Sequence, residues 1–403
     1  MPRRSFLIAL GATLFAPNSA LADPFDRCLA TLRASRSARR ISAATWEHVR
    51  GVRPDSQVLA QLDAQPEFRL PIWDYTAVMV DQQRVDDGME RLEQHRAMFD
   101  SISRRYAVDA SILAAVWGVE SNFGRGIGTF SVLRSLATLS CAGRRQRYFR
   151  GELLAALRIV QAGHIAPDAF RGSWAGAFGQ TQFMPGVFWG RAVDFDGDGR
   201  RDLMTNAGDA LASAANYLRL AGWRPGVPWG IEVRLPVASE RATFDARAEG
   251  RRIRRPIATW ITRGFVRVDG APLALIPADS QLAMGLFLPS GALGPAFLVS
   301  SNFEAVYRYN AAESYTLAIL HLSDRLKGGG EFVTPWPTDD LGLSRLERRE
   351  LQTLLRERGH AIGAVDGLLT PVTRAAVRVE QLRLGHAQTG RPGQRLLGAL
   401  RDR

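Results

Sequence analysis

The hydrophobic period of this 403-residue chain changes three times, and those changes restrict its fold more than any other feature. From Asp23 to about Leu220, apolar residues recur at spacings of three and four, as in Ser111–Val116, Gly151–Gln161 and Asp209–Leu220, so helices are expected there. Between Gly226 and Ser300 the pattern alternates, in Ile231–Leu235 and in Phe265–Val268, with prolines and glycines between. This reads as a small β-rich insertion. Helical spacing returns over Ser314–Lys327, and Gly328-Gly329-Gly330 followed by Pro335 and Pro337 marks a linker over 328–342. The expected architecture is mainly α: a body over 23–327 carrying the insertion at about 226–300, then a separate unit over 343–403.

That last unit is small but well punctuated. Ser344 and Glu347 form a capping box, and Leu343, Leu346, Leu351, Leu354 and Leu355 give the following helix an apolar face that ends at Gly359. Asp366-Gly367 is a turn signal. Thr370 then caps a second helix with Pro371 at its first position and Ala375, Ala376 and Val379 on its buried side. A unit of this size has room for little beyond binding or spacing.

The N-terminus reads as a signal peptide over residues 1–22. Arg3 and Arg4 precede an apolar run from Phe6 to Ala16, and Ala20-Leu21-Ala22 offers small residues for cleavage before Asp23, by the general or the twin-arginine route. The run is too short to span a bilayer. Met284–Val299, broken by Pro289 and Pro295, reads as core strands and turns, so no transmembrane segment is expected. In an exported chain, Cys28 and Cys141 can form one disulfide; the alternative is two partly buried thiols. Neither lies in a metal-binding or redox spacing.

Charge excludes one class of partner. The formal net charge is +12, about +10 once residues 1–22 are removed, but Lys327 is the sole lysine and no block of like charge forms a binding tail. The arginines read as a composition bias, and nucleic acid is not an expected partner. A net positive protein suits an anionic cell-wall polymer.

Three strings could carry chemistry. In Gly118-Val119-Glu120-Ser121-Asn122-Phe123-Gly124-Arg125, a helix starting near Asp109 buries Ile112, Val116 and Val119 and places Glu120 near its C-terminal end, where Gly124 and Gly126 let the chain turn away. An apolar wall and a helix C-terminus both raise a carboxyl pKa, as a general acid requires. The plainer alternative is a surface glutamate paired with Arg125. In Asp194-Phe195-Asp196-Gly197-Asp198-Gly199-Arg200-Arg201-Asp202, carboxylates at loop positions one, three, five and nine, glycine at six and the Arg200 carbonyl at seven match an EF-hand calcium loop. Thr205 stands at position twelve instead of glutamate, and Asp209 lies too far along to be given that role. In Gly172–Pro185, glycines and alanines allow close backbone approach while Trp174, Gln180, Gln182 and Phe183 offer the amides and ring faces that sugars need; a tight packing motif is the alternative.

Together, GVESNFGR, GSWAGAFGQTQFMP and DFDGDGRRD, followed by Ser301-Asn302-Phe303 and Tyr309-Asn310, resemble the B-type lytic transglycosylases that cleave bacterial peptidoglycan, from about Trp73 to Leu326. The resemblance implies a lysozyme-like α+β body with a structural calcium loop and no catalytic cofactor. It implies Glu120 as the single catalytic acid/base, with Tyr75, Ser173, Trp174, Gln182, Tyr217, Tyr309, Asn310 and Tyr315 around the substrate. Trp174 falls where a smaller aromatic ring is common. Residues 343–403 resemble a three-helix peptidoglycan-binding module, with Asp366-Gly367 and Thr373-Arg374-Ala375-Ala376-Val377 as its signature and Glu380 where an aromatic residue usually precedes Gln381. A periplasmic monomer working on glycan strands, beside other cell-wall enzymes, is the expectation. A hydrolytic muramidase and a non-catalytic wall-binding protein are the rival readings.

Overall fold

The computed structural model describes residues 24–62, 70–236, 249–273 and 282–402; the segment read as a signal peptide lies outside the described residues. The first part of the chain folds as α1 (Pro24–Ala34), α2 (Ala43–Glu47), α3 (Ser56–Ala60), α4 (Ile72–Met79), α5 (Gln82–Gln94), α6 (Arg96–Tyr106) and α7 (Ala110–Ser121). After a short strand, β1 (Phe130–Ser131), come α8 (Val132–Cys141), α9 (Gln146–Gln161), β2 (Arg171–Gly172), α10 (Pro185–Arg191) and α11 (Ala207–Leu220). Several starts follow from local chemistry: the side chains of Ser42, Asp55, Asp81, Ser131 and Asn206 each accept an N–H from the first turn they precede.

These helices enclose two cores. One forms around α7, whose side chains from Ser111 to Gly118 are all buried, with Phe99, Leu211, Leu218 and Leu320 among its neighbours. The other joins α1, α8, α9 and α10 through Phe25, Leu136, Leu153, Phe178 and Phe188. Cys28 and Cys141 are bonded, with their Cα atoms 5.8 Å apart across a sequence separation of 113 residues, which ties α1 to the end of α8. A cross-link closing so long a loop restricts the unfolded chain by ~2–5 kcal/mol.

The β-rich segment contributes β3 (Gly230–Arg234), β4 (Arg255–Pro256), α12 (Ile257–Thr262), β5 (Val266–Arg267), β6 (Ala283–Phe287) and β7 (Ala296–Val299). Its strands lie in the order β4-β6-β7-β3-β5, each pair antiparallel. Leu286 and Leu298 point to a small core around Trp260 and Phe265, while Phe287, Phe297 and Val299 point to the core around α7. Burial on both faces explains why Met284–Phe287 and Phe297–Val299 read as unbroken apolar runs. The chain then returns through α13 (Ser301–Tyr307) and α14 (Glu313–Leu326), and α14 packs against α4, α5 and α7.

The C-terminal unit is α15 (Arg345–Glu357), α16 (Pro371–Arg383) and α17 (Gln394–Arg401), around Leu343, Leu351, Leu355, Val377 and Leu397. The capping box of Ser344 and Glu347 forms, and Thr370 caps α16 with Pro371 in its first turn. The buried faces differ from expectation. Leu346 is exposed, and α16 turns Thr373, Ala376, Val377 and Glu380 inward while Ala375 and Val379 face out. Glu380 can sit inside because its Oε1 contacts His360 Nε2 at 2.6 Å and accepts from Arg383 at 2.8 Å.

The segment expected as a linker is packed rather than loose. Phe332 stacks on His321 with ring centroids 3.9 Å apart and meets Phe297 edge-on at 5.0 Å, and the Glu232 carboxylate accepts from Val333 N and Thr334 N. Burial, then the nearby Arg325 charge, pushes the His321 pKa down to about 4. The folded protein therefore binds fewer protons here than the unfolded chain between pH 4 and 6.5, so stability falls as pH drops through that window. A shift of this size corresponds to about 3 kcal/mol. In urea titrations across that window, wild type is expected to lose about that much more stability than His321→Gln; parallel losses would refute the account.

Candidate active site

Glu120 stands in the last turn of α7, half-buried, where an apolar helix leaves the core. The exit is sharp. Asn122 and Phe123 both adopt left-handed backbone, with φ of 51° and 59°, before Gly124 at 82°. Asn122 N and Phe123 N donate back to Gly118 O and Trp117 O, closing the helix end. The Phe123 ring folds over Gly118, where an added Cβ would lie 2.7 Å from the ring and push it away.

The glycine-rich string laces onto this turn. Ser121 Oγ donates to Gln180 O at 2.6 Å and accepts from Gly124 N at 3.0 Å, while Gln180 Oε1 accepts from Trp117 Nε1 at 3.0 Å. Gln180, expected to offer its amide to sugar, is buried and faces inward instead: its amide accepts from the Trp117 indole and donates to Met204 O. Ser173 N donates to Ala177 O at 2.7 Å, and Ser173 Oγ accepts from Ala177 N at 3.0 Å. A Cβ at Gly172 would fall 2.2 Å from Ala177 O, which explains the small residue there. Gln182, also left-handed at φ 48°, braces the loop by donating from Nε2 to Ile127 O and Gly179 O. Trp174 is half-buried against the core of α8–α10.

Tyrosines from distant segments meet at Glu120. Tyr315 of α14 is buried and donates its hydroxyl to Glu120 Oε1. Tyr309 Oη donates to Thr181 O at 2.7 Å, and its ring lies 4.8 Å from that of Tyr217, with Phe183 edge-on to both. Burial first, and the Glu120 charge second, raise the pKa of Tyr309 and Tyr315 well above the usual phenol value. Both phenols stay protonated, so Tyr315 remains a donor to the carboxylate. Tyr75 is buried on α4, which packs against α14, the helix of Tyr315. Tyr217 donates to Arg308 O, and Asn310 is half-buried directly after Tyr309.

In the acidic loop the carboxylates that converge are Asp194, Asp196 and Asp209, with oxygens within 4.8 Å of one another. Asp209 is the member sequence spacing set aside: it is fully buried on α11 and accepts from Phe195 N and Asp202 N, each at 2.7 Å. Asp198 accepts from Arg200 N, and Asp202 caps the following turn through Met204 N and Thr205 N. The Arg200 guanidinium reaches His164 O. Burial raises the Asp209 pKa, and the charges of Asp196 and Asp194 add to it. For Asp194, desolvation opposes ionisation, but the amides of Gly199 and Gly197 outweigh it and hold the pKa below the usual range. Acceptor-only oxygens of like charge around a glycine-rich loop fit a hard cation such as calcium.

Comparison with known proteins sets this geometry in a family. The Transglycosylase SLT domain model matches residues 24–324, and a peptidoglycan binding domain model matches residues 344–400. The chain belongs to the transglycosylase SLT domain family. SltB3 from Pseudomonas aeruginosa, solved in complex with NAG-anhNAM-pentapeptide, is 45% identical with a TM-score of 0.73, covering 94% of this chain and 99% of that one. Slt35 from Escherichia coli, solved in complex with calcium, is 25% identical with a TM-score of 0.62, covering 75% of this chain and 92% of that one. The membrane-bound lytic murein transglycosylase B of Escherichia coli K12 is 28% identical over 262 residues, 62% of this chain; the match spans 65% of that relative's length. The resemblance to B-type lytic transglycosylases with a peptidoglycan-binding module is borne out, as is a helix-rich lysozyme-like fold with small sheets. Among the described residues, no helix is long and apolar enough to cross a membrane.

Gln180 joins the two strings, and its replacement leaves the buried Trp117 indole N–H without a partner. Gln180→Ala is expected to lower stability by ~1–3 kcal/mol, measured by urea unfolding. An unchanged midpoint would show that the lacing contributes nothing.

Proposed function

We propose that this protein is a lytic transglycosylase that cleaves the β-1,4 bond between N-acetylmuramic acid and N-acetylglucosamine in peptidoglycan and leaves 1,6-anhydromuramic acid ends. The observation that carries the reading is Glu120, a carboxyl group delivered by a buried helix and held by the Tyr315 hydroxyl among tyrosines. The 45% identity to a transglycosylase solved with an anhydro-sugar ligand supports it.

One carboxyl group suffices for the chemistry. Tyr315 donates to Oε1 and so orients the carboxyl group that carries the acid proton. Glu120 gives that proton to the glycosidic oxygen as the C1–O bond breaks, and the substrate's own acetamido carbonyl closes onto C1. Glu120, now a carboxylate, takes the proton of the muramoyl O6 hydroxyl; O6 attacks C1, displaces the acetamido oxygen and forms the anhydro ring without water. Ser173, which accepts from Ala177 N but keeps its own O–H, and Asn310 orient the acetamido group. Tyr309 has its hydroxyl bonded to Thr181 O and offers its ring face, alongside those of Tyr75, Tyr217 and Trp174, while Gln182, whose Nε2 braces the loop, offers its Oε1.

The remaining assignments follow the same reading. Residues 23–327 do the chemistry, residues 343–403 hold the wall, and the leader over 1–22 exports a monomer to the periplasm, where other wall enzymes share its substrate. Calcium bound by Asp194, Asp196 and Asp209, with Asp198, the Arg200 carbonyl and Asp202 as further oxygen donors, would be structural: it would neutralise the loop and tie it to α11.

Mass analysis of muropeptides released from purified wall tests the reaction. Ends lighter by one water are expected from wild type, with a hundred- to ten-thousandfold slower release by Glu120→Gln, roughly the range for loss of an acid/base group. Hydrated reducing ends would make the protein a muramidase, full lysis by Glu120→Gln would take the acid role from Glu120, and no release by wild type would leave only wall binding. For the loop, added calcium is expected to raise the melting temperature by about 2–4 °C and a chelator to reverse it, with no response in Asp209→Asn. A wild-type melting curve indifferent to both additions would refute the calcium site.

A further inference from the structure

The C-terminal unit reaches the reaction centre through two arginines. Arg391 grips Asp74 with a two-pronged contact, Nε to Oδ2 at 2.6 Å and Nη2 to Oδ1 at 2.7 Å, while its Nη1 holds Asp340 at 2.8 Å. Asp74 is buried on α4, directly before Tyr75. The chain approaches there so closely that a Cβ on Gly342 would lie 2.7 Å from Asp74 Cα. Arg345, the first residue of α15, donates from its backbone N to Asp81 Oδ2 at 3.1 Å and from Nη1 to Asn122 Oδ1 at 3.0 Å. Asn122 is the left-handed residue that ends α7, two positions after Glu120.

We propose that Arg345 and Arg391 are positioning residues for glycan cleavage, acting through Asn122 on Glu120 and through Asp74 on Tyr75. This rests on the catalytic reading of Glu120 given above. A tethered anchor would need no contact with the α7 exit. Here a guanidinium from the wall-binding unit holds the side chain of the residue whose unusual backbone sets where α7 stops and where the carboxyl group stands. The second arginine fixes the helix that carries Tyr75, and that helix packs on α14, whose Tyr315 is the donor to Glu120. The planar two-pronged contact of Arg391 constrains angle as well as distance, which a point charge does not. A displacement of about 1 Å at a reacting group is enough to slow a reaction about a hundredfold.

The test is steady-state cleavage of a soluble, uncrosslinked glycan fragment, with binding to insoluble wall and the melting curve measured on the same full-length variants. Arg345→Met and Asn122→Gly are each expected to lower kcat about tenfold, with KM and wall binding within about twofold of wild type. The double variant is expected to be no slower than either single one, because both remove the same contact. Arg391→Lys, which keeps charge but loses the planar grip, is expected to lower kcat in the same way. Wild-type kcat in Arg345→Met, or losses that multiply in the double variant, would overturn the proposal. Should Arg345→Met fail to fold, Arg345→Lys in the same cycle with Asn122→Gly decides. Glu120→Gln separates the two readings: if it is inactive while the arginine variants keep wild-type kcat, positioning fails alone, and if it is fully active the catalytic reading fails first.

Discussion

The burial of helix α7 on all sides is the constraint on which the rest depends. From Ser111 through Gly118 no side chain reaches solvent, so the helix cannot rotate or slide without unpacking α5, α6, α11 and α14 together. A carboxyl group attached to the end of such an element inherits its rigidity. The cost of ordering Glu120 is met by apolar burial elsewhere, since a close-packed interior transmits position from neighbour to neighbour. The site is therefore built from the core outward: α14 packs on α7 and so aims Tyr315 at Glu120, and the Gln180–Trp117 and Ser121–Gln180 bonds fasten the sugar-facing loop to the same helix.

Local signals in the sequence were legible, and relations between distant segments were less so. Helix α7 with its start at Asp109, the capping box at Ser344 and Glu347, the Thr370-Pro371 start of α16 and the strands within Met284–Val299 all follow from spacing or cap chemistry over a few residues. The left-handed pair Asn122 and Phe123 was not legible, because neither residue requires that conformation; the turn was expected at Gly124 and Gly126. Loop spacing sets Asp209 aside for a related reason. Its place beside Asp194 and Asp196 is set by α11 packing back on the loop, a step that loop spacing does not encode. Gln180 was read as facing sugar because an amide in a glycine-rich string has that appearance until its partner Trp117, far off in sequence, is in place.

The faces of α16 show how a buried ion pair misleads a hydrophobic reading. Ala375 and Val379 are four apart and apolar, and they look like a core stripe. The stripe that is buried runs through Thr373, Ala376, Val377 and Glu380, and it depends on His360 and Arg383 meeting one carboxylate. A charged residue is tolerated inside only when partners supply what water did. Arg383 is on the next turn of α16, but His360 lies on a loop, so the pattern cannot be seen from α16 alone.

The nearly exclusive use of arginine looks different in this light. As a composition, it carried no information beyond sign. In the fold, guanidinium groups sit where one cation must satisfy two carboxylates or hold an angle: Arg251 between Glu304 and Glu313, Arg255 and Arg263 on Glu249, and Arg391 between Asp74 and Asp340. Two of these carboxylates are almost wholly buried, Asp74 and Glu249, which expose 4% and 5% of their side chains. A lysine ammonium could neutralise such a charge but could not present donors in a fixed plane, and a strongly hydrated ammonium is harder to remove from water. Whatever set the overall bias toward arginine, the contacts between the β-rich segment and the helices, and between the C-terminal unit and the helix before Glu120, draw on a geometry that only this cation supplies.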